Sequence, residues 1–345
     1  MQSKKICHKS IAKLIEEWFD KHARCFEWRT HSTPWGRLLC EYMAQQTQIE
    51  RVTERWLKMI HKFPTPQSMA ESSEQEVLLM WEGLGYYRRA KNLREAAKQI
   101  ADDFGGQVPS DFESLKSLKG VGDYTAGAIS SIAFGNRDPL VDGNVHRVLC
   151  RLFNNELCAT PNAWSWGHAK KLVDESSNPS KFNEGLMELG ATVCKPKSPQ
   201  CDSCPLHSRC NAFLNKTQSQ VPIPKRQIEK KREYHYAVLF YSDNKIALEQ
   251  RGAVGLWAGM WQVPTIESSK RLSKSKIAIQ FGATSSLNKV GKFEHALSHR
   301  LIEFHVYSCD SNKKKKYAWH SMDSIASVPL GNAQKKVIAM YPLDN

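Results

Sequence analysis

The sequence has no long apolar run. None approaches the roughly 18 consecutive apolar residues of a membrane-spanning helix, and the first ten residues, MQSKKICHKS, lack the apolar core of a secretory signal peptide. We therefore expect no membrane partner and a protein that stays in the bacterial cytoplasm. In that compartment the ten cysteines are expected to stay reduced.

Acidic residues are outnumbered. The chain has 35 Asp and Glu against 49 Lys and Arg, a net charge of +14 and a pI of about 9.3. This balance favours a polyanionic partner, most often nucleic acid, although a basic protein without such a partner has the same composition. The length of 345 residues predicts about two domains.

The two parts of the chain differ in pattern. Residues 1–215 are mostly helical in periodicity, whereas residues 233–345 contain short runs typical of strands, among them YAVLFYS and LIEFHVYS. The segment 216–232 between them is polar, charged and proline-bearing, and we interpret it as a linker. The prediction is a mainly α N-terminal domain followed by an α+β domain.

A glycine loop joins two of the predicted helices. Gly120-Val121-Gly122 lies between DFESLKSL (111–118) and DYTAGAISSIAF (123–134). Glycine permits positive φ and leaves backbone N–H groups exposed, and such groups at a helix N-terminus bind phosphate. We interpret the loop as a helix-hairpin-helix that grips DNA independently of sequence, with an ordinary αα turn as the alternative.

Four cysteines crowd into one segment with C-x6-C-x2-C-x5-C spacing: Cys194, Cys201, Cys204 and Cys210. Four thiolates in one loop suit zinc or an iron–sulfur cluster, and ligand softness alone does not decide between them. Lys195, Lys197 and Arg209 lie among these cysteines, so a bound cluster would present basic residues to phosphates.

Further segments resemble the adenine DNA glycosylase family (MutY) of the endonuclease III superfamily: EYMAQQTQ (41–48), GLGYYRRAKNL (83–93), VDGNVHRVLCR (141–151) and GLWAGMWQVP (255–264). The resemblance runs over nearly the whole chain. It implies a helix-hairpin-helix glycosylase domain with an iron–sulfur loop, built from a six-helix module at about 28–137 and a cluster module from 1–27 and 138–215. A Nudix-like domain follows.

The resemblance also implies a cofactor and a partner. The cofactor is one [4Fe-4S] cluster on the four cysteines. The partner is double-stranded DNA with adenine opposite 8-oxoguanine or guanine, bound by a monomer. Downstream repair proteins cannot be identified from the residues.

Releasing adenine from deoxyribose requires one protonated and one ionised carboxyl group, as in glycoside hydrolysis. Glu41 is the candidate acid, since burial would raise its pKa, although a polar helix stripe with Arg37, Gln45 and Gln48 explains its spacing equally well. Asp142 is the candidate anion, although a turn or helix cap is the commoner reason for Asp there. The resemblance implies that Glu41 protonates adenine N7 and that Asp142 stabilises the sugar cation.

Tyr124 stands where lyase-active relatives carry a lysine that forms a Schiff base. The resemblance implies that Tyr124 lies near the sugar and that the base is removed without strand cleavage. Asn144 is expected to hydrogen-bond Asp142, to cap the following helix, or to do both.

The target base must leave the duplex to be excised. Gln46 and Tyr86 resemble the wedges that fill the base stack in this family, and Arg88 and Arg89 add positive charge. For Tyr86 the alternative is a core aromatic. Three other residues match positions that line the family's adenine pocket: Trp28, Arg29 and Glu184.

The C-terminal segment lacks the G-x5-E-x7-R-E-x2-E-E-x-G run of a working Nudix hydrolase, so we expect it to recognise rather than catalyse. The resemblance implies that it reads 8-oxoguanine opposite the target adenine. The family's Phe-Ser-His loop is here Leu297-Ser298-His299. Ser298 and His299 can hydrogen-bond the altered base, whereas Leu297 cannot stack as an aromatic ring does. Ala44 in place of leucine and FEWR in place of LPWR are further departures, which we expect to tune the adenine pocket.

We therefore expect a monofunctional adenine glycosylase that leaves an abasic site. A bifunctional glycosylase/lyase is disfavoured by Tyr124, and a silent lesion-binding protein by the presence of both Glu41 and Asp142. A nucleotide hydrolase is disfavoured by the missing Nudix run.

Overall fold

A computed structural model describes residues 8–30, 33–156, 160–224, 229–282, 287–310 and 317–341. The chain divides into two compact units, Met1–Glu71 with Asn92–Arg226, and Ser72–Lys91 with Gln227–Asn345. The break after residue 226 falls inside the segment predicted as a linker, of which residues 225–228 lie outside the described part. The grouping of Ser72–Lys91 with the C-terminal residues was not predicted from the sequence.

The predicted helical character up to about residue 215 is confirmed. In chain order the helices are α1 (His8–His22), α2 (Glu27–Thr30), α3 (Pro34–Ala44), α4 (Ile49–Lys62), α5 (Pro66–Ala70), α6 (Glu74–Met80), α7 (Arg88–Asp103), α8 (Phe112–Ser117), α9 (Asp123–Phe134), α10 (Gly143–Phe153), α11 (Ala163–Asp174), α12 (Pro179–Thr192) and α13 (Asn211–Leu214). Two 3₁₀ turns, Cys201–Ser203 and His207–Arg209, lie in the cysteine loop. No helix in the described ranges is long and apolar enough to cross a membrane.

Local signals place the helices that carry the site. Thr33 caps α3, because its side chain accepts from Gly36 N at 3.0 Å, and Pro34 occupies the first turn, where a missing N–H costs nothing. Helices α1, α9, α10, α11 and α12 bury a shared apolar core that includes Ile15, Leu149 and Leu186. This core fixes α9, α10 and α12 against one another, and these helices carry most of the candidate site.

The second unit is built around a mixed sheet. Its strands are β1 (Lys231–Ser242), β2 (Lys245–Gln250), β3 (Trp261–Gln262), β4 (Thr265–Ser268), β5 (Asn288–Ala296), β6 (Arg300–Asp310) and β7 (Ala318–Ser321). The order is β3-β2-β1-β6-β5, with β4 also paired to β1 and β7 to β2. Strands β1 and β6 are parallel, and the other pairs are antiparallel.

Both faces of β1 are covered, which explains its nearly continuous apolar sequence. Tyr236, Val238 and Phe240 face a core that includes α14 (Lys274–Phe281). Ala237 and Leu239 face the opposite core, which includes residues of α15 (Met322–Ile325) and α16 (Asn332–Ile338). The side chains alternate between faces as the pleat of a strand requires.

The segment Ser72–Lys91 is bound to the sheet domain by specific hydrogen bonds. The Gln75 side chain donates to the Gly259 carbonyl at 3.0 Å and accepts from Trp261 Nε1 at 3.1 Å. Lys335 forms an ion pair with Glu82. The loop that carries Tyr86 thus belongs to the same compact unit as the C-terminal sheet.

Candidate active site

Glu41 and Tyr124 meet between α3 and α9. Glu41 is 5% exposed, and the Tyr124 hydroxyl on α9 is among the groups that influence its carboxyl group; that hydroxyl lies 3.8 Å from Met187 Sδ. Burial raises the pKa of Glu41 above its usual value, while the Arg37 guanidinium and the Tyr124 hydroxyl oppose the rise. Burial, with the two carboxyl groups of Glu41 and Asp142 nearby, holds the pKa of Tyr124 well above its usual range. Glu41 is therefore placed to keep a proton that an exposed glutamate would lose.

Asp142 is the N-cap of α10. Its Oδ1 accepts from Val145 N at 2.7 Å and its Oδ2 accepts from Asn144 Nδ2 at 2.9 Å. Burial raises the pKa of Asp142, and the hydrogen bonds from Val145 and Asn144 oppose the rise because they favour the anion. The hydrogen bond that makes Asp142 a helix cap also holds its carboxylate in place. The interpretations of Asp142 as a cap and as the candidate anion are therefore compatible.

Arg147 extends this network, and the sequence analysis missed it. Its Nη2 donates to Asn144 Oδ1 at 2.9 Å and to the Gly190 carbonyl at 2.8 Å, and its Nε donates to the Cys194 carbonyl at 2.8 Å. A chain of contacts therefore runs from Asp142 through Asn144 and Arg147 to the start of the cysteine loop. The spacing of Arg147, three residues after Asn144 on one helix, could have indicated the first of these contacts.

Buried ion pairs line the region predicted as the adenine pocket. Glu184 Oε1 accepts from Arg29 Nε at 3.2 Å and from Arg37 Nη2 at 2.8 Å. Glu188, one turn later on α12, binds Arg29 Nη2 at 3.0 Å and Arg24 Nε at 2.6 Å. The sequence placed Arg29 and Glu184 together but missed Arg24, Arg37 and Glu188, because their partners lie far away along the chain.

Trp28 is 3% exposed and packs among other aromatic rings. Its indole stacks on Phe26 at a centroid distance of 4.5 Å and meets Trp56 edge-on at 6.1 Å. The Arg29 guanidinium lies over the Phe26 ring at 5.1 Å. The departure FEWR therefore places an aromatic ring, Phe26, against both predicted pocket residues of this segment.

The hairpin loop needs glycine at one of its two positions. Gly120 has φ of +87°, and a Cβ there would lie 2.7 Å from Asn92 Nδ2. Gly122 has φ of −105° and open space around it, so the need for a positive φ that we inferred for the loop applies to Gly120 alone. Gly122 caps α9 without a side chain, which leaves the first-turn N–H groups uncovered. Val121 is mostly buried, and its N–H donates to the Leu118 carbonyl at 3.1 Å.

Gln46 and Tyr86, the two predicted wedges, both have positive φ angles. Gln46 is exposed with φ of +55°, and Tyr86 is 46% exposed with φ of +46°. Positive φ in non-glycine residues is uncommon and concentrates at functional sites. Arg88 is exposed, whereas Arg89 is buried and donates from Nη2 to the carbonyls of Leu84 and Gly85 at 3.0 and 3.1 Å. Arg89 braces the turn rather than adding free charge.

The four clustered cysteines line one cavity, together with Arg151, Val193, Pro199, Gln200, His207, Phe213 and Gln218. Arg151 Nη1 lies 3.4 Å from Cys194 Sγ. Burial raises the pKa of Cys204 to about 12 and also raises those of Cys201 and Cys210, so their thiolates form when a metal replaces the proton. No group of three or more His, Cys, Asp or Glu within the described ranges is arranged to hold a single metal ion. Iron–sulfur clusters are held by cysteine thiolates, which is the donor type of these four residues.

The loop Leu297-Ser298-His299 is the turn between β5 and β6. Leu297 packs partly against the core of the sheet domain, and Ser298 and His299 are exposed. Arg300 Nε donates to His299 Nε2 at 3.1 Å. Since arginine can only donate, this contact favours the His299 tautomer with its ring proton on Nδ1, which lies 3.1 Å from Ser298 Oγ. The Ser298 hydroxyl hydrogen is then free to donate outward.

Comparisons with known proteins agree with this geometry. Residues 39–163 match the HhH-GPD superfamily of base excision DNA repair proteins, and residues 235–340 match the NUDIX domain. The adenine DNA glycosylase of Rattus norvegicus is 32% identical over 96% of this chain and 78% of its own length. That of Buchnera aphidicola subsp. Schizaphis graminum is 28% identical over 96% of this chain and 98% of its own length.

A solved structure supports the fold of the first unit. A non-covalent endonuclease III–DNA complex is 25% identical, with a TM-score of 0.52, over 62% of this chain and 100% of that chain. The predicted combination of a helical glycosylase domain and a Nudix-like domain is confirmed. The chain belongs to the adenine DNA glycosylase family and is a DNA glycosylase, a hydrolase of N-glycosyl bonds in base excision repair.

Proposed function

We propose that this protein excises adenine paired with 8-oxoguanine, and with guanine, by hydrolysis without strand cleavage. The observation that carries the proposal is the pairing of unequal carboxyl groups in one helical unit. Glu41 is deeply buried and its carboxyl group accepts from no N–H group in the described hydrogen bonds, with the Tyr124 hydroxyl among its influences, whereas Asp142 is half-buried and accepts from two N–H donors. Such a pair divides the roles of proton donor and anion.

In the proposed reaction the flipped adenine accepts a proton from Glu41, and its bond to the sugar breaks with the electron pair leaving on the base. The positive charge that develops on the sugar is stabilised by Asp142, whose carboxylate is held in place by Val145 N and Asn144. A water molecule then adds to the sugar carbon and gives a proton to the Glu41 carboxylate, which restores the acid. Tyr124 has no amine to form a Schiff base, so the product is an intact abasic strand.

We propose that the hairpin and the cysteine loop hold the DNA. The uncovered N–H groups at the start of α9 are suited to a phosphate. The four cysteines fit a [4Fe-4S] cluster by donor type and by their shared cavity. When bound, the cluster would fix the loop and its basic residues, and it takes no part in bond breaking.

The proposed reader of 8-oxoguanine is the Leu297-Ser298-His299 turn. The proton on His299 Nδ1 leaves Ser298 able to donate a hydrogen bond to a base edge. The proposal also includes a monomer acting in the bacterial cytoplasm, for which the similarity to a bacterial glycosylase of matching length is the support.

Replacing the acid tests the proposal. Glu41→Gln keeps the shape of the side chain but cannot donate a proton, so single-turnover release of adenine opposite 8-oxoguanine should fall by about 10²–10⁴-fold, while binding to the same duplex persists. Glu50→Gln, an exposed position on α4, is the matched control and should keep both. Near-normal turnover by Glu41→Gln would rule out the proposed acid.

A further inference from the structure

Arg37 is a buried cation close to the proposed acid. It lies four residues before Glu41 on α3, so the two side chains occupy one face of the helix, one turn apart. Arg37 is 6% exposed, and its Nη2 donates to Glu184 Oε1 at 2.8 Å. Burying a guanidinium is costly, so its position beside the site calls for an explanation beyond packing.

The ion pairs around Arg37 do not balance. Arg24, Arg29 and Arg37 carry three positive charges, and Glu184 and Glu188 carry two negative ones, which leaves one positive charge in excess. Arg24 and Arg29 both contact Glu188, whereas Arg29 and Arg37 share a single oxygen of Glu184. Arg37 therefore shares this carboxylate oxygen with Arg29, and Glu41 lies one helical turn away from Arg37 on α3.

We propose that Arg37 is a positioning residue for base excision, whose charge, held by Glu184 one turn from Glu41, keeps Glu41 a strong enough acid to release its proton to the base. This rests on the proposed role of Glu41 as the acid. A carboxyl group that holds its proton too tightly donates it slowly, whereas one that holds it too loosely arrives ionised. Arg37 sets how tightly Glu41 holds its proton.

The surroundings of Glu41 support this assignment. Burial raises its pKa most, and Arg37 is the largest influence in the opposite direction, ahead of the Tyr124 hydroxyl on α9. Glu184 on α12 and Asp142 before α10 add weaker influences that raise it. Helix α4 presents uncharged Trp56, whose Nε1 donates to the Gly36 carbonyl at 2.9 Å.

The test is the pH dependence of single-turnover excision with Arg37→Met, which keeps the aliphatic stem of the side chain without its charge. Two changes are expected together. The excision rate on the low-pH plateau should fall because Glu41 becomes a weaker acid. The alkaline midpoint, the pH at which the rate has dropped to half of its plateau value, should move to higher pH. One pH unit above the wild-type midpoint, Arg37→Met should keep at least about twice the fraction of its plateau rate that the wild type keeps. Arg37→Lys retains the charge and should hold the midpoint near that of the wild type.

Controls separate this role from a structural one. Arg24→Met also removes a guanidinium from the ion network, but Arg24 contacts Glu188 rather than Glu184, so its midpoint should stay unchanged whatever its rate. If Arg37→Met does not fold, Arg37→Met with Glu184→Gln removes both charges of the Arg37–Glu184 ion pair. That double variant should show a smaller shift in the same direction, because Arg37 influences Glu41 more than Glu184 does.

An unmoved midpoint in Arg37→Met, or in the double variant, would overturn the proposal even if the rate falls. Glu41→Gln, measured over the same pH range, distinguishes this failure from that of the proposed function. If Glu41→Gln retains turnover, Glu41 is not the acid and the proposed reaction fails. If Glu41→Gln is inactive while the Arg37→Met midpoint stays in place, only the role of Arg37 fails.

Discussion

Gly190 on α12 is where helix packing should control the geometry of the site. A Cβ added at Gly190 would lie 2.7 Å from Asn144 Cβ and 3.1 Å from the Asn144 carbonyl oxygen. Carbon atoms in ordinary contact lie about 3.5–4.0 Å apart, so Gly190→Ala must separate α10 from α12 by about 1 Å at this point. The backbone of Asn144 cannot give way as a flexible side-chain end would.

This displacement would distort two hydrogen bonds of the site. Asn144 Nδ2 holds Asp142 at 2.9 Å, and Arg147 binds the Gly190 carbonyl at 2.8 Å. Overpacking of this kind costs about 1–3 kcal/mol of stability, or several degrees in Tm for a unit of this size. A misplacement of about 1 Å at a reacting group slows the chemical step by about 10²-fold.

Thermal unfolding and single-turnover excision, measured on the same preparations, test both effects. Gly167→Ala is the matched control, since Gly167 lies in helix α11 with no atom within 4 Å of an added Cβ. It should stabilise the protein by about 0.5–1 kcal/mol and leave the rate unchanged. A Gly190→Ala variant that behaves like Gly167→Ala would refute the close-approach reasoning.

Three further predictions concern charge and cofactor. Asp142→Asn keeps a good helix cap but removes the anion, so excision should fall by at least about 10²-fold with little change in Tm; near-normal excision would mean that the cap alone explains Asp142. Because burial holds the pKa of Glu41 above its usual value, ionisation destabilises the folded state as pH rises above about 4. Glu41→Gln should therefore exceed the wild type in Tm at pH 8 and lose that advantage below about pH 4, and an equal Tm at pH 8 would contradict it. Cys204→Ser should lose iron, sulfide and visible absorbance, whereas the exposed Cys25→Ser should keep them; wild-type protein that contains zinc instead would refute the cluster.

Features with local signals could be predicted from the sequence. The helices beside the hairpin, predicted at 111–118 and 123–134, are observed as α8 and α9. The runs YAVLFYS and LIEFHVYS lie in β1 and β6. In each case the pattern of apolar residues, or a glycine between two such patterns, specifies the element without help from distant residues.

Features that depend on long-range pairing escaped prediction. Arg37 contacts Glu184 and Arg24 contacts Glu188 across more than a hundred residues, and no periodicity marks such pairs. The union of Ser72–Lys91 with the sheet domain depends on Gln75, an ordinary polar residue in sequence terms. Arg88 is exposed, whereas the neighbouring Arg89 is buried and holds the backbone turn. Amino-acid composition does not predict this difference.

The most direct test of the central claim is a single-turnover assay on a duplex with adenine opposite 8-oxoguanine, analysed with and without alkali. The account predicts strand breaks only after alkali, because Tyr124 offers no amine and the product is an abasic site. Breaks without alkali, with a protein–DNA adduct trapped by borohydride, would show that another amine acts as a lyase nucleophile and would contradict the account. Intact DNA under both conditions, with binding retained, would contradict the assignment of Glu41 and Asp142 as a working pair.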